Sequence, residues 1–348
     1  MTVNKTWQMP FVILGFITIF FLGLFIIDRA IGILGFLDSD DQSGYECEKC
    51  YAHSVLPFIG KWNLSNFSHT AKKTCAAAKS ACYEVTYEYD EYGRRMTANN
   101  NLKSKKHLLL FGDSVAFGEG HEGDKTLAAQ LAAKTKAKVY NYAISGGGAG
   151  TALTLLDSRK VAREVPEKSG SALFIAAPYQ QDWTTFSTKY PWAWSFPKYD
   201  FDKKGEITHV GLFSESSPKT TARLESAQWY MKHFNFLKLI NFEYPYFQDH
   251  EKAKKLYLGI LQKLASSYES QFDGKFFVVA HPYASDDTFR DDLAQAGLRV
   301  VSPGVDFASL EPENRYICEC EELPSSSQNP LIAEQIARSL EDTERAQP

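Results

Sequence analysis

Residues 108–111 read Leu-Leu-Leu-Phe with no polar alternation, and the run stops on Gly112 before an acid and a hydroxyl, Asp113 and Ser114. Four residues are too few for a helix, and a strand apolar on both sides must be covered on both sides, which is the condition of a parallel sheet. The pattern returns. Apolar runs at 138–144, 171–177, 275–280 and 298–301 are separated by stretches of helical periodicity near 124–135, 151–163, 223–240, 250–267 and 286–296, and a last helix is predicted over 330–340.

Strands alternating with helices predict an α/β fold, a parallel sheet of about five strands wound on both faces by right-handed crossovers, with a flavodoxin-like order. Such sheets keep their reactive groups past the carboxyl ends of the strands, so Asp113 and Ser114 fall where a site is expected. A chain of 348 residues can bury one large core, and one main domain is the simplest division. The net charge of -4 and the lack of a long basic block argue against a nucleic-acid partner held through phosphates.

Residues 11–27 are 17 positions without a charge, and apolar character resumes after Asp28-Arg29 through residue 37. A helix of roughly 20 residues can span a bilayer, so 11–37 is predicted to be a transmembrane anchor. A cleaved signal peptide is the alternative, although the run exceeds an h-region of about 7–15 residues and no small-x-small site follows. Lys5 lies on one side and Asp38, Asp40 and Asp41 on the other. The positive-inside tendency then makes the chain single-pass, with residues 1–10 cytoplasmic and the main domain periplasmic or extracellular.

Six cysteines, Cys47, Cys50, Cys75, Cys82, Cys318 and Cys320, suit disulfides in an oxidising space. The Cys47-x-x-Cys50 spacing keeps a metal site open as the rival. Residues 38–106 read as a cysteine-containing irregular lead-in, save that Tyr83, Val85, Tyr87 and Tyr89 alternate with polar residues as a strand does, with a turn at Tyr92-Gly93. The α/β domain runs over 107–342. Its insertion at 180–221 carries Trp183, Trp192, Trp194, Phe196, Tyr199 and Phe201 ahead of a turn at 202–205. These rings suit a small hairpin that packs its own aromatics as a lid or edge cover, or a carbohydrate or lipid surface.

Two stretches carry a resemblance. GDSVAFGEG, from Gly112, and VYNYAISGGGAG, from Val139, resemble the first two sequence blocks of the SGNH, or GDSL, hydrolase family. YDEYGRRMTANN upstream is similar to the layout of its membrane-anchored bacterial members. The resemblance implies that Ser114 is the nucleophile, with its own amide and that of Gly146 as oxyanion donors. The third block of the family supplies an asparagine amide; here IAAPYQQDW offers Gln180 or Gln181 instead. The last block carries an acid and a histidine; here EELPSSSQNPLIA has Glu321 at the acid position and Leu323 at the histidine position.

Leucine cannot accept a proton, so a substitute base is sought at His281, which follows the fourth strand on the same sheet edge, or at His121. A disulfide at Cys318 or Cys320 would hold this altered loop. The implied function is a serine esterase or acyl hydrolase acting outside the cytoplasm on an ester of an envelope glycan or lipid. The alternatives are an O-acyltransferase accessory domain, or a catalytically inactive domain that binds a glycan, a lipid or an envelope protein. No cofactor or metal is implied for the chemistry, and the sequence carries no reading of oligomeric state.

Overall fold

A computed structural model describes residues 19, 22–31, 33, 44–47, 53–75, 80–185, 187, 190–215, 218–240, 242–244, 249–281, 286–318 and 320–345. Its centre is a parallel sheet of five strands: β1 (Lys106–Phe111), β2 (Lys138–Asn141), β3 (Ser169–Ala176), β4 (Asp273–Ala280) and β5 (Val300–Val301). Their order is β5-β4-β3-β1-β2, the flavodoxin-like arrangement expected from the alternation of runs. Residues 142–144, predicted to be strand, follow β1 less regularly: Tyr142 N–H reaches Leu110 O at 2.8 Å and Ile144 N–H reaches Gly112 O at 3.3 Å.

The two-sided apolar run explains the layers. Leu109 and Phe111 face helices α2 (Ala149–Asp157) and α3 (His250–Gln271), while Leu108 and Leu110 face α1 (Leu127–Lys134) and α4 (Asn329–Arg345). Burying each of these side chains fully contributes about 1.5–3 kcal/mol. The Thr126 hydroxyl caps α1 by accepting from Ala129 N–H at 3.2 Å, so the helix starts three residues later than predicted. The helix expected over 151–163 breaks where Arg159 adopts φ +54°, and the one expected over 223–240 is two helices, Pro218–His233 and Asn235–Leu239.

The expectation of an irregular stretch over 38–106 is corrected. Gly44–Cys47, Ser68–Cys75 and Ser80–Glu88 form an antiparallel sheet, and His53–Leu56 pairs with Gly60–Asn63. Ser68–Cys75, SHTAKKTC, is polar and mostly only half-buried, so it shows no apolar alternation. Tyr83, Val85, Tyr87 and Tyr89 do alternate, and they pack on the Leu108 and Leu110 face of the central sheet.

Disulfides Cys75–Cys320 and Cys82–Cys318 join this sheet to a hairpin of Tyr316–Cys318 and Glu321–Pro324. These four cysteines are therefore paired with each other, while the Cys47-x-x-Cys50 motif extends outside the described residues. The insertion is a hairpin, Pro197–Phe201 with Ile207–Leu212, closed at the expected turn, where Gly205 adopts φ +81°.

Residues 22–31 are helical. Among the described residues no helix is long and apolar enough to cross a membrane. Residues 11–18, 20, 21, 32 and 34–37 of the expected span lie outside them.

Candidate functional site

At the end of β1 the chain turns sharply. Gly112 has φ +147°, and a Cβ there would stand 2.7 Å from Ala116 Cβ. Asp113 then caps a one-turn helix, Ser114–Phe117, by accepting from Val115 N–H at 3.0 Å. Gly118, at φ +84°, ends the helix by donating to Ser114 O at 2.9 Å. The Arg95 guanidinium, buried between the Tyr87 and Phe117 rings, holds this turn from behind. It donates to the carbonyls of Phe117 at 2.9 Å, Gly118 at 2.5 Å and His121 at 2.5 Å. Asn141 adds a bond to Ala116 O at 3.2 Å. Nothing in the spacing of Arg95 along the sequence announces a buried clamp.

Because β1 and β2 are parallel neighbours, Ser114 and Gly146 leave the sheet at the same edge. Gly146 has φ +75°, and a Cβ there would stand 2.7 Å from Cδ1 of Trp192. Ser145 donates its hydroxyl to Glu119 Oε2 at 2.5 Å, tying the glycine-rich turn to the loop after Ser114. Burial pushes the Glu119 carboxyl above its usual range and Glu321 adds to the rise, against the Ser145 hydrogen bond and the charges of Lys73 and Lys61. Trp192 is 44% exposed and packs edge-on against Tyr190 and Trp183, an aromatic rim beside the glycine turn. Neither Glu119 nor Ser145 was singled out from sequence, since their contact spans 26 positions.

Gln180 comes to the same edge but not to the expected role. Its Nε2 donates to Asp113 Oδ2 at 2.8 Å and to Ile175 O at 3.2 Å, and its Oε1 accepts from Tyr257 at 2.9 Å. Both amide hydrogens are committed inward, so Gln180 is corrected from oxyanion donor to support for Asp113. Gln181 follows in the same turn, where its carbonyl accepts from Thr184 at 2.7 Å. Tyr179 also donates to Asp113 Oδ2, at 2.8 Å. Burial pushes the Asp113 carboxyl up, and the Gln180, Tyr179 and Val115 bonds oppose that rise.

His281 is corrected as a base. It follows β4 directly, and β3 stands between β4 and β1, which sets its backbone about 9–10 Å across the sheet from that of Ser114. The ring is buried, and desolvation alone lowers it to about 3, far from the near-neutral value that suits a general base.

His121 is drawn down to about 4 by burial and by the Arg95 charge. Its Nε2 lies 3.0 Å from Pro324 O; a carbonyl only accepts, so Nε2 carries the proton. Nδ1 is buried without a partner among the described residues. Glu321, expected to orient a base, forms an ion pair with Lys73 instead. Leu323 is half-buried on the same short strand. Among the described residues no imidazole is hydrogen-bonded to the Ser114 hydroxyl.

No protein-family model matches the chain, and no curated protein does. Among solved structures it is similar to a G-D-S-L family protein from Desulfitobacterium hafniense, at 12% identity and TM-score 0.34 over 68% of this chain and 99% of that one. It is also similar to TesA, at 13% identity and TM-score 0.37 over 68% and 99%. A third is a catalytic mutant of an acetylxylan esterase from Geobacillus stearothermophilus, at 13% identity and TM-score 0.36 over 69% and 96%.

Proposed function

We propose that the chain is a membrane-anchored serine acyl-ester hydrolase that works outside the cytoplasm on an ester of an envelope glycan or lipid. The observation that carries this reading is the half-buried Ser114 in a clamped one-turn helix at the sheet edge, beside the left-handed turn at Gly146. Ser114 Oγ attacks the ester carbonyl while the proton from Oγ passes to the Glu119 carboxylate. The main-chain N–H groups of Ser114 and Gly146 receive the developing oxyanion. The alcohol leaves with the proton from Glu119, and water repeats the exchange on the acyl-enzyme.

Glu119 is supported as the acceptor by its raised carboxyl and by its place at the same sheet edge, where Oε2 accepts from Ser145, the residue before Gly146, at 2.5 Å. Anchoring is supported by the uncharged run at 11–27 and by the exposed Leu22, Phe25, Ile26 and Ile27 on the helical residues 22–31.

Labelling with a fluorophosphonate tests the reading. Wild type is expected to label, Ser114→Ala to remain unlabelled, and Glu119→Gln to react about 10²–10⁴-fold more slowly. Absence of both labelling and esterase activity in wild type overturns it.

A second reading, a cleft that binds an acylated glycan or lipid without turning it over, is favoured by Leu323 and by the lack, among the described residues, of an imidazole hydrogen-bonded to Ser114. Stoichiometric binding of an acetylated oligosaccharide with no release of acetate would select it.

A further inference from the structure

We infer that the helical pair Pro218–His233 and Asn235–Leu239 lies in the lipid headgroup layer and presents its exposed aromatic and aliphatic side chains to the bilayer. The inference rests on the membrane-anchored reading above and goes beyond it, since it assigns a second membrane contact in a distant part of the chain.

The geometry begins at Asp28, the first charge after the run at 11–27, with only 2% of its surface exposed. Asp28 Oδ1 accepts from Phe236 N–H at 2.8 Å, and Asp28 O accepts from Asn235 Nδ2 at 3.1 Å. The neighbouring Arg29 donates from Nη2 to His233 O at 2.7 Å and to Asp28 Oδ2 at 2.7 Å. The charge pair therefore straddles the break at Phe234. The carboxylate meets an unbonded N–H at the start of one helix, and the guanidinium meets a terminal carbonyl of the other, each with the sign its helix end favours.

This fixes a depth. With the spanning part of the 11–37 segment confined to its uncharged run 11–27, Asp28 and Arg29 stand at the membrane–water boundary, and residues 233–236 are hydrogen-bonded to them. The side chains around that contact suit the place. Trp229 is 53% exposed, and Tyr230, Phe236, Leu239 and Ile240 are each more than 40% exposed, while Leu224 turns inward to the protein. Trp and Tyr are the residues that gather at bilayer interfaces, where a ring meets acyl chains and its polar atom meets headgroups. Lys238 is exposed within the same face and is long enough to reach lipid phosphates. The hydrogen bonds of Asp28 and Arg29 also join this pair to the N-terminal helix that exposes Leu24 to Ile27.

The test uses the full chain in vesicles of phosphatidylcholine and phosphatidylglycerol, with lipids brominated close to the headgroup as quenchers of tryptophan emission. Wild type is expected to be quenched, and Trp229→Phe to lose a substantial part of the quenchable emission. If the variant floats with the vesicles and quenching is unchanged, the anchor stands and the inference is overturned, because Trp229 is then in water. If the full chain does not float with vesicles, the anchor reading itself fails and the inference falls with it. Concentration-dependent protection of Trp229 in detergent without lipid would give the face to a second copy of the chain, which also overturns it.

Discussion

Gln180 donates its amide to Asp113 across 2.8 Å while its carbonyl oxygen accepts from Tyr257 at 2.9 Å, so a single glutamine links the strand-end acid to helix α3. The acid is fully buried and depends on such donors. Gln180→Leu should cost about 2–3 kcal/mol, the scale of a hydrogen bond to a charged group in the interior. Urea unfolding at pH 7 would measure it. A variant that loses acylation with no change in stability would return Gln180 to the oxyanion role.

Arg95 holds three carbonyls with one planar fork. Lysine keeps the charge but supplies one compact ammonium in place of a planar donor array. Arg95→Lys should therefore lower stability by about 2 kcal/mol or more and slow labelling at Ser114, as read by thermal melting beside probe kinetics.

Leu323→His restores an imidazole at the position where the resembling family has one. Labelling of Ser114 should accelerate tenfold or more, with a pH midpoint near the ordinary imidazole value of about 6.5. The gain should vanish in Leu323→His combined with Ser114→Ala. No acceleration in a folded variant would mean that position 323 does not face the serine.

The buried histidines set the acid limit of the fold. His281 titrates at about 3 and His121 at about 4 in the folded chain, against 6.5 for a free imidazole. Between those values the unfolded chain holds more protons, so stability falls as pH drops below 6.5, by about 1.4 kcal/mol per pH unit for each ring. Denaturant midpoints at pH 7, 6 and 5 check the slope, and His281→Asn should flatten it.

Glu119 carries the opposite sign. Its folded value is raised, so ionisation disfavours the fold as pH rises through the window above the usual carboxylate range. Glu119→Gln should raise the melting temperature at pH 7 and leave it nearly unchanged at pH 4. For the same reason the acylation rate of wild type should climb with pH through that window. A melting temperature that falls at pH 7 would show that the Ser145 bond outweighs the desolvation.

The central sheet was legible because Leu108 to Phe111 and the parallel runs are apolar on both sides, a pattern that only a doubly covered strand requires. Ser68–Cys75 was not, since a strand with one half-exposed face of Lys and Thr leaves no alternation to find. The edge that gathers Ser114 and Gly146 followed from strand order. The direction in which Gln180 points did not, because the same amide can serve either a ligand or a buried acid, and only the burial of Asp113 decides. His281 was placed correctly at a strand end, but the loss of solvent that weakens it as a base is a property of the packed molecule.

The two disulfides bear on the order in which the molecule can be finished. Cys75 and Cys82 are synthesised 245 and 236 positions ahead of Cys320 and Cys318. An emerging chain therefore carries Cys75 and Cys82 without their mates, each nearer in sequence to the other than to the cysteine it pairs with. The flap bearing Glu321 and Leu323 cannot be stitched to its neighbour until almost everything between has been made. Any oxidation before residue 318 is made finds Cys75 and Cys82 without the partners they have in the folded chain.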